Sequence, residues 1–106
     1  MSVDGFITEK SKQLEFYIRG YWDAAITYHE LQQFLWDTLE EWGTVENSAF
    51  VAYSHQERVF WHVFFVVQHT EEEDLKYEDQ NPDLAFVLEF LNRNYLCPLD
   101  VVGMRP

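Results

Sequence analysis

The sequence predicts an all-α domain, a compact four-helix bundle or an irregular helical domain, formed as one unit over residues 1–106. Three observations carry that reading. All three prolines (Pro82, Pro98 and Pro106) fall in the last quarter of the chain, so the strongest helix breaker is missing before it. Thr27–Glu30 and Ser54–Glu57 have the capping-box spacing, in which a hydroxyl and a carboxylate satisfy each other's free backbone N–H groups. Apolar residues also recur at helical spacing in separate runs.

The first helix is expected from Ile7 to Tyr21, with Leu14, Tyr17, Ile18 and Tyr21 on one stripe. Gly20 near its end offers a cheap left-handed residue or loosened turn. A second helix, Thr27 to Trp42, has the capping box at its start and Gly43 where a C-terminal cap belongs. Leu31, Phe34, Leu35, Thr38, Leu39 and Trp42 form its buried stripe, while Gln32, Gln33, Asp37, Glu40 and Glu41 fall mostly elsewhere. The segment between these helices resembles the second half of a calcium loop, with Ile26 and Glu30 in place. The first half lacks the oxygen ligands. Position 1 is Arg19, position 3 is Tyr21 and the turn glycine is Ala24, so calcium is rejected and a tight connection remains.

Residues 48–70 read two ways. A helix from Ser54 to His69 would be apolar nearly all round and therefore central. A hairpin over 49–67, in an α+β fold, has the better local propensity because Val and aromatic residues dominate 59–67. The capping box and the segment's length favour the helix. Thr70 to Asp83 is acidic, with seven carboxylates against Lys76, and Thr70 and Glu73 have the spacing of a further short helical turn. Asn81-Pro82 then opens a last helix with the stripe Leu84, Val87, Leu88, Leu91 and Tyr95, stopped by Cys97-Pro98. Leu99 to Pro106 is left as an irregular or extended tail.

Composition narrows function by exclusion. Seven Lys and Arg stand against 19 Asp and Glu, a formal charge of −12. Direct nucleic-acid binding is not expected, because it draws on basic residues that displace phosphate counterions. Anionic membrane surfaces are disfavoured for the same reason. No segment has the length of apolar residues for a membrane span, and the first residues lack the order of a signal peptide, as fits a cytoplasmic protein. The lone Cys97 allows neither an internal disulfide nor a cysteine zinc site.

No catalytic, cofactor-binding or metal site is expected. His55, His62 and His69 recur every seven residues, but about 10.5 Å of helix rise separates neighbours, too far to share one ion. His69 and Glu73 share a face only if the helix runs on through Thr70. There is no Gly-x-Ser-x-Gly elbow and no glycine-rich phosphate loop.

What remains is aromatic and acidic. Trp36 lies off its helix's main stripe, and Trp61 with Phe65 forms an i, i+4 pair. Exposed aromatics beside carboxylates suit an interface, where tryptophan often anchors affinity. The expected interaction residues are therefore Trp36, Asp37, Glu40, Glu41, Trp61, Phe65, Glu71, Glu72, Glu73, Asp74, Glu78 and Asp79. The expected function is a non-enzymatic protein-interaction module. It would be an adaptor or inhibitor of a basic protein, a mimic of nucleic-acid phosphates in its sharpest form, or a homodimer joined through aromatic residues. The alternative is a small-molecule or metal-binding domain with an aromatic pocket and His62 or His29.

Overall fold

The computed structural model describes residues 2–46, 48–93, 96–101 and 103–106. Its helices are α1 (Val3–Trp22), α2 (Tyr28–Trp42), α3 (His55–Gln68), α4 (Glu72–Leu75) and α5 (Pro82–Leu88), with 3-10 turns at Ser48–Phe50 and Glu78–Gln80. No strand occurs among the described residues, so the hairpin alternative over 49–67 is replaced by a 3-10 turn, a short irregular stretch and α3.

Helix α1 starts four residues before the expected position because Ser2 caps it, its hydroxyl accepting the Gly5 N–H at 3.0 Å. Val3 and Phe6 thereby join Ile7, Leu14, Ile18 and Tyr21 on the buried face. Each such side chain contributes about 1.5–3 kcal/mol when fully buried. Lys10 lies on the same face, its stem buried and its ammonium 2.7 Å from Glu41 of α2.

Gly20 is not the left-handed residue of the first turn. It stays within α1, and its carbonyl accepts the N–H groups of Ala25 and Ile26 at 2.8 and 3.1 Å. A β-carbon there would stand 2.5 Å from Ile26 Cδ1, so the missing side chain lets the returning chain approach. The left-handed residue is Ala24, at φ 62°, the turn position where the calcium-loop pattern places glycine. Helix α2 then opens on a complete capping box. Thr27 Oγ1 accepts the Glu30 N–H at 3.1 Å, and the Glu30 carboxylate accepts the Thr27 N–H at 3.4 Å. Gly43 follows its last residue in a right-handed conformation, φ −61°.

Helix α3 packs against α1, α2 and α5 and carries the centre of the core: Val59, Phe60, Trp61, Val63, Phe64 and Val67 are all buried. Trp61 lies edge-on to Trp42 of α2, with ring centroids 5.1 Å apart, and Trp42 meets Phe6 of α1 at 5.4 Å. The Ser54 hydroxyl accepts the Glu57 N–H at 3.0 Å, but the Glu57 carboxylate does not return to the cap and turns inward instead.

The acidic segment is held down by one apolar anchor. Leu75 is fully buried, and its carbonyl accepts the Trp22 indole N–H at 2.9 Å. The Thr70 hydroxyl donates to the Val66 carbonyl at 2.6 Å, so it does not cap the following turn. Asn81 does not cap α5 either, because its amide donates to the Asp74 and Tyr77 carbonyls. Helix α5 is shorter than expected: after Leu88 the N–H groups of Glu89, Phe90 and Leu91 bond three residues back, and the chain turns away. Tyr95 of the expected stripe lies outside the described residues. The Cα radius of gyration, 13.3 Å, is that of a compact chain of this length.

Candidate functional site

Most of the expected interaction residues lie on the surface. Trp36 is 61% exposed, and Asp37, Glu40 and Glu41 beside it on α2 are exposed as well. Asp37 accepts from Gln33 at 3.0 Å, while Glu41 is engaged by Lys10. Glu71, Glu72, Glu73 and Asp74 crowd the start of α4, and Glu78 and Asp79 occupy the next turn. All six are exposed, and none forms an ion pair with a described residue. Lys76, the one cation of the stretch, sits 5.6 Å from the Tyr77 ring centroid.

Trp61 corrects the expectation. It is 1% exposed and belongs to the core, since its face of α3 meets α1 and α2. Its i, i+4 neighbour Phe65 is 60% exposed and stacks on His69 at 4.0 Å. The pair therefore straddles the boundary between core and surface. Helix α3 also ends at Gln68, so His69 and Glu73 do not share a helix.

His55, His62 and His69 have separate roles. His55 Nε2 accepts the Cys97 N–H at 3.1 Å, and His69 Nδ1 lies 3.0 Å from the Phe65 carbonyl oxygen. Burial lowers the His62 imidazole below its ordinary value near 6.5, so its neutral form dominates at pH 7. Among the described residues no cluster of three or more His, Cys, Asp or Glu side chains is placed to hold a metal ion.

A site with no obvious signal in the sequence lies beneath the C-terminal tail. Glu57 is fully buried at the first turn of α3. Its carboxylate accepts the Trp61 indole N–H at 2.9 Å and two N–H groups of Arg105, from Nε at 2.6 Å and from Nη2 at 2.7 Å. The third guanidinium nitrogen donates to the Ser48 carbonyl. The Tyr53 and Trp42 rings flank the cation at 4.2 and 5.7 Å, and the Tyr53 hydroxyl accepts the Arg105 backbone N–H at 2.9 Å. Hydrogen bonding to Glu57 raises the guanidinium above its already high ordinary pKa, so the cation is permanent. Such a forked pair, closed by aromatic faces, suits arginine and is a poor fit for lysine.

Gly103 brings the tail onto α3. A β-carbon at this position would lie 2.6 Å from the His62 nitrogen and nearer still to the Arg58 carbonyl oxygen, both backbone atoms that cannot yield. Gly103→Ala is therefore expected to cost about 1–3 kcal/mol, the range for overpacking a filled site. Urea unfolding reads this as a lower midpoint at unchanged slope. Gly43→Ala, whose nearest contact is the Glu40 carbonyl oxygen at 3.3 Å, is the comparison and is expected to lower the midpoint less than Gly103→Ala. Between the tail and α3 runs a groove of about 330 Å³ lined by Trp61, His62, Phe64, Phe65, Gln68 and residues 103–106.

Comparison with known proteins adds no family to this geometry: no family model, no curated protein and no solved structure matches the chain.

Proposed function

We propose that this chain is a non-enzymatic protein-interaction module, an adaptor or inhibitor whose partner is a basic protein. The observation that supports this reading is the set of six exposed carboxylates at Glu71–Asp74, Glu78 and Asp79, none ion-paired with a described residue. Carboxylates held close together without counter-charges repel one another, and a cationic surface relieves that repulsion while speeding encounter. Trp36, with Asp37 and Glu40 beside it, supplies an exposed aromatic of the kind that anchors interfaces.

The test uses a lysine-rich basic protein as probe. Changing Glu71, Glu72 and Glu73 to Gln and Asp74 to Asn is expected to slow association by about tenfold at low salt and to flatten its salt dependence. Neutralising Asp4, Glu9, Glu46 and Asp100 removes the same net charge elsewhere and is expected to have a much smaller effect. Equal losses in the two variants, or no loss in either, overturn the reading. A second reading, a small-molecule site, is supported by the groove beside His62, whose volume and apolar walls lie in the range of ligand pockets.

A further inference from the structure

We propose that the Glu57 cage is a recognition site for an arginine carried on a short extended segment, filled in cis by the protein's own tail until a partner's arginine replaces it. The site involves none of the carboxylates of the 71–79 stretch, so it stands or falls separately from the acidic-face reading.

The receptor side is built into the folded body. Glu57 is fixed at the first turn of α3 by the Trp61 indole, and Trp42 belongs to α2. A buried carboxylate at a helix N-terminus is favoured by the helix dipole and oriented before any cation arrives. The ligand side is different in kind. Residues 103–106 belong to no helix, and their hydrogen bonds to the other described residues run through Arg105, to Glu57, Ser48 and Tyr53. Lifting the tail breaks no secondary structure.

Charge and shape identify the incoming group. The carboxylate accepts two parallel N–H bonds, a carbonyl takes a third, and aromatic faces cover the plane, an arrangement that a point-charge ammonium fills poorly. A glycine two residues before the arginine permits the close approach at Arg58 and His62. The partner segment is therefore of the Gly-x-Arg type. Its entry would displace the tail from the groove beside Trp61 and His62 and form that wall in its place.

The experiment uses the full chain and the synthetic peptides Gly-Met-Arg-Pro, Gly-Met-Lys-Pro and Gly-Met-Ala-Pro. R105A, which empties the cage, is expected to bind the arginine peptide saturably, read as a rise in melting temperature and a change in tryptophan emission. The lysine and alanine peptides bind at least about tenfold more weakly. Wild type binds the arginine peptide at least about tenfold more weakly than R105A, because the tethered tail competes at high effective concentration. Under saturating peptide, hydrogen exchange at the wild-type Arg105 amide accelerates while α3 keeps its protection. If R105A is unfolded alone, the arginine peptide restores a cooperative transition and the alanine peptide does not. Absence of saturable binding or rescue, equal binding by the three peptides, or equal affinity of wild type and R105A overturns the proposal.

Discussion

Arg105→Ala is expected to lower the unfolding free energy by about 3–5 kcal/mol, the cost of removing one partner from a buried ion pair. The asymmetry of burial sets the size. The Arg105 side chain retains 12% exposure, while that of Glu57 retains 1%. The substitution therefore leaves a carboxylate inside the fold with, among the described residues, only the Trp61 N–H to satisfy it. Domains of this length are stable by about 5–15 kcal/mol, so the loss is a large share of the total. Arg105→Lys keeps the charge but not the fork, and is expected to recover only part of it. Replacing both partners together, Glu57→Leu with Arg105→Met, is expected to cost less than Arg105→Ala alone, since no charge is left stranded. Chemical denaturation of the four proteins measures the comparison. A double variant as weak as the single one would show that packing, not the unpaired carboxylate, sets the loss.

Trp61→Ala is expected to cost about 3–5 kcal/mol, the usual loss for a buried tryptophan. Its ring touches Trp42, Phe60 and Phe64, and its indole N–H is committed to Glu57, so the substitution removes packing and a hydrogen bond together. Trp36→Ala, on the exposed face of α2, is expected to change stability by no more than about 0.5 kcal/mol. Thermal and urea unfolding of the pair separate core from surface directly. Similar losses in both would contradict the placement of Trp36 at 61% exposure.

The contrast shows which features can be read from a linear pattern. Thr27–Glu30 and Ser54–Glu57 mark helix starts because caps are local, and both hydroxyls bond as their spacing predicts. The Leu31–Trp42 stripe is equally local. Where the sequence reading departs from the structure, either a distant partner intervenes or a nearby backbone carbonyl takes the side chain instead. Glu57 does not complete its capping box because Arg105, 48 residues away, takes its oxygens. Asn81 fails to cap α5 because its amide serves carbonyls of the preceding turn. Trp61 and Phe65 look alike at i, i+4, yet packing of α3 against its neighbours buries one ring and leaves the other in solvent. The acidic stretch was legible as charge, and the Arg105 cage was not legible at all, because nothing local links a carboxylate at 57 to a cation at 105.

Cys97 carries the chain's one thiol, which is buried, and its amide is tied to His55 shortly before the tail begins. Burial shields the sulfur from maleimides and disulfide reagents while that loop is closed. Because there is a single reactive atom, each labelled molecule marks one opening event near the strap. Labelling rates compared with the global unfolding rate would time local detachment of the C-terminal segment against loss of the whole fold.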